Sequence, residues 1–351
     1  MSFLTLEQVR KTYADGTEAV KGIELECAEG EFVVLLGPSG CGKTTTLRMV
    51  AGLEQVTAGR IWVAGEDITS RPPAARDVGF VFQFYALYPH MRVRDNIAFP
   101  LESMGLSQAE IGEKVDEVSG RLGLKALSRL YPEQLSGGDQ QRVALARAMV
   151  RTPRLYLMDE PLGTLDADRR LALRELIRVQ QVEMGVTTIY VTHDQEEAMS
   201  LADRVVVMEG GRIRQSASPA AVYDNPADLF VAHFVGSPGM NFIRGEIGER
   251  RFAAAGLRLP VSARLRSGPT VLGVRPEFVR PDPAGPLQAE VLMDEYLGAS
   301  RIAHLQTACG RMVMRSQGRT GYTAGDRLAL GFDLARVLYY DPHTGENLVP
   351  R

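Results

Sequence analysis

The chain has 351 residues, of which 45% are hydrophobic and 24% charged, and its formal net charge is -3. This composition is typical of a globular protein large enough for two domains, and the charge gives no argument for non-specific nucleic-acid binding. Apolar runs such as "FVVLLG" are far too short to cross a bilayer, and an acidic residue at position 7 argues against a signal peptide. If the protein acts at a membrane, we expect it to do so through a partner.

Strands and helices alternate in the first part of the chain. Residues 1–30 are predicted to form strands with turns at "ADG" and "AEG", and "EFVVLLG" is typical of a buried strand. Next come a helix in "KTTTLRMVAGL", an exposed strand in "GRIWVAGEDIT" and a helical, polar stretch from about 87 to 155. "RLYLMDEP", "TTIYVTHD" and "DRVVVMEGGRI" predict further strands, and "ADRRLALRELIRVQQVEMG" a helix closed by Gly185. The order predicts a sheet covered by helices on both faces.

The pattern changes near Ser237. From there the chain is rich in short strands, glycine and proline, which predicts a separate all-β domain. We therefore predict a first domain at 1–236, with a helical subdomain at about 87–155, and a second domain at 237–351. The cysteines and three of the histidines show no ligand spacing, and we interpret them as reduced thiols of a cytosolic protein and as structural side chains: Cys27, Cys41, Cys309, His233, His304 and His343.

A phosphate-binding pattern lies between the first buried strand and the first helix. The spacing Gly37-x4-Gly42-Lys43-Thr44 matches GxxxxGK[ST]. Its glycines let backbone N–H groups face phosphates, at the positive end of the following helix. Lys43 is predicted to reach the β- and γ-phosphates and Thr44 to ligate Mg²⁺. The alternative is a glycine-rich turn with an incidental lysine.

Two further segments suit the same chemistry. Asp159 ends an apolar strand and is expected to hold Mg²⁺, while Glu160, expected on the other side of the strand, suits a general base. Strand-end solubilising charges are the alternative. Ser136 and two glycines precede the apolar helix of "LSGGDQQRVALARAM", which makes a second anion site. Two such elements in one chain indicate ATP bound between two chains, although Ser136 alone also suits a simple helix cap.

Six motifs follow one another in a fixed order: "GPSGCGKTT", "VFQFYALYPH", "LSGGDQQR", "LYLMDEP", "LGTLDA" and "THD". Together they resemble the ATP-binding subunits of ABC transporters over essentially the whole chain. "YALYPHMRVRDNIAFPL" is similar to the importer branch, especially the maltose and glycerol-3-phosphate importer ATPases. The resemblance implies a P-loop ABC-type α/β nucleotide-binding domain followed by an all-β, OB-like regulatory domain. "LGVRPEFV" and "YDPHTGENL" look like recurring segments of that second domain, for which a dimerisation surface is the alternative role.

The resemblance also implies a role for each matching residue. Catalysis falls to Glu160, His193 and Gln83, and dimer communication to Asp166. A lone histidine after a strand is usually structural. The position of His193 after these motifs favours a contact with the γ-phosphate instead. The implied Mg²⁺ ligands are Thr44, Gln83 and Asp159. The implied ATP contacts are Tyr13, Gly37, Pro38, Ser39, Gly40, Cys41, Gly42, Lys43, Thr44 and Thr45 from one chain, and Ser136, Gly137, Gly138 and Asp139 from the other. A surface strand tyrosine is the alternative for Tyr13.

Three positions depart from the pattern of the family. Asp139 stands where glutamine is usual, which adds a negative charge near a phosphate-facing helix. Gly163 lacks a hydroxyl that bridges the dimer in relatives, and Phe84 stands where asparagine is common, at the surface expected to meet a permease. None of the three removes a catalytic group, so we expect an active ATPase.

The resemblance implies an ATPase subunit that powers a binding-protein-dependent importer of a carbohydrate or glycerol derivative. Its expected partners are two transmembrane permease subunits, a second copy of the ATPase subunit and, indirectly, an extracytoplasmic solute-binding protein, with no nucleic acid. Its expected location is the cytoplasmic face of the cell membrane, and its cofactors are ATP and Mg²⁺. Two alternatives use the same engine: import of polyamine, sulfate or ferric ion, and a soluble ABC ATPase acting on ribosomes or DNA.

Overall fold

The computed structural model describes residues 2–102, 104–163, 167–261, 265–318 and 321–349. The chain divides into two compact units between Pro219 and Ala220. In chain order, the first unit contains β1 (Leu4–Thr12), β2 (Glu18–Cys27), β3 (Phe32–Leu36), α1 (Lys43–Ala51), β4 (Ala58–Val63), β5 (Glu66–Asp67), β6 (Val78–Val81), α2 (Val93–Glu102), α3 (Gln108–Arg121), α4 (Gly137–Met149), β7 (Leu155–Asp159), α5 (Ala167–Met184), β8 (Thr187–Thr192), α6 (Gln195–Leu201), β9 (Arg204–Glu209) and β10 (Arg212–Ala217).

The central sheet of the first unit determines where the functional loops lie. Its strand order is β10-β9-β3-β8-β7-β6, with β10 antiparallel to β9 and the other neighbours parallel. β3 and β7 are buried along their whole length, which is why both segments are continuous apolar runs. Parallel strands finish at the same edge of a sheet. The segments that follow β3, β8 and β7 therefore begin side by side.

A second, antiparallel sheet completes the core of this unit. Its order is β2-β1-β4-β5, and its fully buried Leu4 and Ile61 share one hydrophobic cluster with Leu157 and Val191 of the central sheet. Each such side chain contributes roughly 1.5–3 kcal/mol by leaving water. The sequence prediction of alternating strands and helices in this part of the chain is confirmed.

Helices α2, α3 and α4 fill the stretch predicted to be helical. α3 begins with a capping box in which the Ser107 hydroxyl accepts from the Glu110 N–H and the Glu110 carboxylate accepts from the Ser107 N–H. Ahead of α2, the loop is held by the fully buried Asn96, whose amide donates to the carbonyls of Tyr88 and Met91 and accepts from the Tyr88 N–H. A single buried side chain of α2 thus holds the backbone of the loop that precedes the helix.

The second unit consists of two short helices and two antiparallel sheets. Its elements are α7 (Pro219–Asp224), α8 (Leu229–Phe234), β11 (Asn241–Gly248), β12 (Arg251–Ala254), β13 (Leu257–Pro260), β14 (Gly268–Val274), β15 (Val279–Pro281), β16 (Leu287–Tyr296), β17 (Ser300–Thr307), β18 (Gly310–Gln317), β19 (Arg327–Phe332) and β20 (Leu338–Tyr340). Among the described residues the sheet orders are β13-β12-β11-β14-β20 and β15-β19-β16-β17-β18. One hydrophobic cluster joins both sheets, with Ile243 and Leu272 from the first and Leu305 and Met314 from the second.

The two helices of this unit are held by side chains from the two segments noted in the sequence. The buried Arg275, in "LGVRPEFV", donates to the carbonyls of Tyr223 (2.8 Å), Ala232 (3.0 Å) and Val235. Asn347, in "YDPHTGENL", donates through its amide to the Pro226 carbonyl at 3.0 Å. We call Arg275 and Asn347 the clasp. The chain was predicted to divide at 236, whereas the clasped residues 220–236 belong to the second compact unit.

Candidate active site

The loop between β3 and α1 has a backbone that only glycine allows at two points. Gly42, the N-cap of α1, has φ 103°, and a Cβ there would lie 2.5 Å from the Ala19 carbonyl oxygen. A Cβ on Gly37 would lie 2.4 Å from the Met208 carbonyl oxygen. The predicted P-loop is therefore enclosed by neighbouring backbone on two sides, so its glycines serve close approach as well as conformational freedom.

Lys43 lies inside this loop. Its side chain is buried, and its ammonium donates to the carbonyls of Gly37 (2.7 Å) and Pro38 (3.0 Å). The ammonium is thus held over the loop that is expected to carry phosphate. Beside it, burial raises the pKa of the Cys41 thiol despite the nearby Lys43 charge, so Cys41 packs as a neutral side chain.

The segments after β3 and β7 meet through a hydroxyl and a carboxylate. Thr44 donates its hydroxyl proton to Asp159 Oδ1 at 2.8 Å. Burial raises the pKa of Asp159, and the hydrogen bond from Thr44 and the positive charges of Arg48 and Lys43 offset this only in part. A hydroxyl and a carboxylate held 2.8 Å apart are oxygen donors of the kind that a hard cation such as Mg²⁺ prefers.

Glu160 lies just beyond β7 and not on it, which corrects the expectation drawn from strand alternation. The strand ends at Asp159, and Glu160 adopts a left-handed conformation with φ 44°. Its N–H donates to the Val191 carbonyl at 3.0 Å, which fixes the turn to β8. The direction of the Glu160 carboxylate is therefore determined by the turn and not by the pleat of the strand.

Three predicted catalytic side chains converge at this turn. His193 Nδ1 lies 3.0 Å from Glu160 Oε2, and the Gln83 amide nitrogen lies 3.5 Å from the same oxygen. His193 follows β8 directly and precedes α6, whose first turn is capped by Asp194. The carboxylate of Glu160 is thus oriented by side chains that follow two other strands of the sheet.

A buried network behind His193 was missed by the sequence analysis. The Glu197 carboxylate accepts from Tyr190 (2.8 Å) and Thr192 (2.8 Å), and all three side chains are buried. Burial raises the pKa of Glu197 in spite of these two hydrogen bonds. The network ties α6 to β8 and supports the backbone on which His193 lies. Its only sequence signal was a glutamate on the inner face of a short helix.

The remaining predicted ATP contacts lie at the starts of two helices: Tyr13 is beside α1, and Ser136 with the residues after it is at the start of α4. The Tyr13 hydroxyl lies 3.4 Å from the Thr45 hydroxyl, so the tyrosine borders the first turn of α1. Ser136 is the N-cap of α4, accepts from the Asp139 N–H and donates to Asp139 Oδ2 at 2.6 Å. Gly137 and Gly138 form the first turn of that helix.

Asp139 therefore faces its own helix cap. Burial pushes its pKa upward, but the Ser136 hydroxyl and the ion pair with Arg142 hold the pKa below its usual value. Asp139 is thus firmly ionised. Gly163 donates its N–H to the Glu160 carbonyl, whereas the predicted dimer residue Asp166 lies outside the described residues.

Comparison with known proteins gives matches to three family models. The ABC transporter family model matches residues 20–163, the MalK OB fold domain matches residues 236–279 and the TOBE domain matches residues 272–339. The sn-glycerol-3-phosphate import ATP-binding protein UgpC of Cereibacter sphaeroides is 47% identical, over 99% of this chain and 100% of its own length.

The chain belongs to the ATP-binding subunits of ABC transporters. Like others of the carbohydrate importer branch, this ABC subunit is an ATPase with a P-loop α/β domain and an OB-type β domain. It is also similar to the trehalose import ATP-binding protein SugC of Mycobacterium tuberculosis, with 41% identity over 99% of this chain and 98% of that protein.

Solved structures of ABC cassettes resemble the chain as well. CbiO1 from Clostridium perfringens, part of an ABC transporter complex, has a TM-score of 0.59 and 32% identity, and the match covers 63% of this chain and 90% of that one. A dimeric ATP-binding cassette in a post-hydrolysis state, bound to ADP and Pi, has a TM-score of 0.57 and 31% identity, with 62% and 98% covered.

Proposed function

We propose that this ABC subunit hydrolyses ATP at the edge of its central sheet to drive uptake of a carbohydrate or glycerol-derived solute through a membrane permease. The observation that carries the proposal is the convergence of Glu160, His193 and Gln83 near the Thr44–Asp159 pair. The three side chains follow β7, β8 and β6, at the edge of the sheet where β3 leads into the P-loop. The solute class follows the functions of the two relatives, which are import of sn-glycerol-3-phosphate by UgpC and of trehalose by SugC.

In this mechanism Glu160 is the general base. A water in line with the γ-phosphate gives its proton to the Glu160 carboxylate. The contacts with His193 and Gln83 restrict the orientation of this carboxylate. Lys43 holds the β- and γ-phosphates from inside the loop, and His193 contacts the γ-phosphate. Tyr13 borders adenine, and the remaining contacts come from the loop residues Gly37, Pro38, Ser39, Gly40, Cys41, Gly42, Thr44 and Thr45.

Mg²⁺ fits the donor set of this site. Thr44, Asp159 and Gln83 offer a hydroxyl, a carboxylate and an amide oxygen, the hard ligands that Mg²⁺ prefers. Within the described residues no group of three or more His, Cys, Asp or Glu side chains forms a metal site, as expected where substrate phosphates complete the coordination. When bound, Mg²⁺ neutralises charge on the phosphates; the protein residues supply the base and the orientation of the water.

The second half of the ATP site comes from another copy of the chain in this proposal. Ser136, Gly137, Gly138 and Asp139 begin a 13-residue helix whose first N–H groups suit an anion. The dimeric cassette among the similar structures supports this arrangement. Asp166 is proposed to pass information between the two copies.

The surface after Gln83 suits a membrane partner. Phe84 is 76% exposed, and a groove of about 780 Å³ beside it is lined by Phe82, Tyr88 and Phe99. Large exposed aromatics at a groove are typical of a protein–protein contact. Among the described residues no helix is long and apolar enough to cross a bilayer. We propose that two transmembrane permease subunits dock here and hold the chain at the cytoplasmic face of the membrane, with a solute-binding protein acting indirectly.

The same surface contains a strained turn. Tyr85 and Ala86 have φ values of 58° and 50°. Arg147 of α4 donates to both of their carbonyls, at 2.9 and 2.7 Å. The turn therefore connects the proposed docking groove with Gln83 on one side and with α4 on the other.

Two experiments test the proposal. Glu160→Gln should retain ATP binding and lower kcat by roughly 10²–10⁴-fold, the usual contribution of a general base; an unchanged kcat would show that Glu160 is not the base.

Purification of the tagged chain from its native membrane should recover two polytopic permeases, and Phe84→Asp should lose them while keeping ATPase activity. Recovery of ribosomes or DNA-repair proteins instead would favour the soluble ABC ATPase. A binding protein for polyamine, sulfate or ferric ion beside the permeases would replace the carbohydrate assignment.

A further inference from the structure

The start of α4 already carries a negative charge of its own. Asp139 Oδ2 accepts the only proton of the Ser136 hydroxyl at 2.6 Å, and the other oxygen is paired with the Arg142 guanidinium. The Asp139 side chain is only 19% exposed. The carboxylate is therefore a fixed part of this surface and not a freely moving charge.

A serine hydroxyl has one proton and makes one donated hydrogen bond at a time. While Ser136 donates to Asp139, it has nothing to donate to a phosphate oxygen. A phosphate arriving at this helix end also meets a carboxylate of the same sign one turn from the N-cap, in a partly buried position where water screens charge weakly. Both effects oppose anion binding at the start of α4.

We propose that Asp139 is a positioning residue that acts through Ser136: it competes with the γ-phosphate of the partner copy's ATP for the start of α4 and so weakens ATP-driven association of the two chains. Arg142 sets the strength of this competition by neutralising the carboxylate. The inference rests on the proposed role of Ser136 across the dimer. Under this proposal Asp139, which stands where the family usually has glutamine, reduces the ATP-driven association of two copies of this ABC subunit.

A purely structural role makes the opposite prediction. An acidic residue in the first turn stabilises a helix through the helix dipole, and Arg142 also donates to the Leu122 carbonyl at 3.3 Å. If these two residues only supported the helix, Asp139→Asn and Arg142→Gln would both loosen the site and both raise the KM for ATP. In the competition model the two substitutions act in opposite directions.

The experiment measures KM and kcat for ATP in the full chain. Asp139→Asn, which keeps the shape and removes the charge, should lower KM about 10-fold, the size expected for one charge-assisted hydrogen bond, with kcat changed less than threefold. Arg142→Gln should raise KM several-fold. The double variant should match Asp139→Asn, because in the competition model the effect of Arg142 on ATP binding passes through the Asp139 charge. In a Glu160→Gln background, sedimentation should show half-maximal association at about 10-fold lower ATP for Asp139→Asn.

Ser136→Ala separates failure of this inference from failure of the cross-dimer role. If Ser136→Ala leaves KM and association unchanged, both ideas are wrong. If Ser136→Ala weakens association but Asp139→Asn leaves KM unchanged or raises it, only the competition is refuted. Thermal unfolding of each variant identifies loss of folding, and Asp139→Gln provides a second uncharged side chain should Asp139→Asn unfold.

Discussion

Replacement of Arg275 by methionine should destabilise the second unit strongly. The buried guanidinium donates to three backbone carbonyls and lies 4.1 Å from the Tyr223 ring centroid. Arg275→Met keeps the aliphatic stem and removes all three of these hydrogen bonds, and of the three carbonyls that of Ala232 retains a backbone donor, the Met240 N–H at 3.3 Å. Hydrogen bonds to a charged group contribute about 1.5–3 kcal/mol each, and part of that sum is offset because the cost of burying the cation disappears. Burial lowers the pKa of Arg275, which reflects that cost.

The net loss should be about 3–4 kcal/mol. For a unit of this size, that loss corresponds to a fall of roughly 10–15 °C in the unfolding midpoint. Calorimetry with and without ATP identifies the transition, because ATP stabilises the unit that binds it. Arg275→Lys, which keeps the charge but not the planar fork, should give an intermediate fall. A midpoint for Arg275→Met within 2 °C of the wild type would show that the clasp does not hold α7 and α8.

Three further predictions concern the first unit and the thiols. His193→Ala should lower kcat about 100-fold with KM changed less than threefold, because Glu160 loses the side chain that orients it; steady-state kinetics decide this. Lys43→Met should abolish measurable binding of a fluorescent ATP analogue. Its unfolding midpoint should stay above that of the Gly42→Val variant, whose backbone cannot form the loop. Burial raises the pKa of Cys27 to about 12, so a thiol reagent at pH 8 should label Cys309 and spare Cys27 until the chain is unfolded.

Local pattern was sufficient to predict the elements and the phosphate loop. The apolar runs of β3 and β7 and the spacing of Gly37, Gly42 and Lys43 are properties of adjacent residues, and a short stretch of sequence records them directly. The same is true of the cap at Ser136. The family resemblance added roles to positions that the spacing alone left open.

Contacts between distant segments were beyond this kind of prediction. Nothing near Glu160 in the sequence reports that the chain turns left-handed there and directs the carboxylate to His193. Nothing near Arg275 reports that its acceptors lie some forty residues earlier. The boundary at 236 stays a prediction. Residues 220–236 contain two helices, like the residues before them, and hydrogen bonds from Arg275 and Asn347 attach them to the second compact unit.

The turn at Tyr85 and Ala86 is strained, because both residues have left-handed backbone conformations. Each non-glycine residue in the left-handed region costs on the order of 1–3 kcal/mol, and both carbonyls of this pair accept hydrogen bonds from Arg147 of α4. The turn begins two residues after Gln83. A partner that displaced Arg147 would therefore remove a restraint from a strained segment next to Gln83.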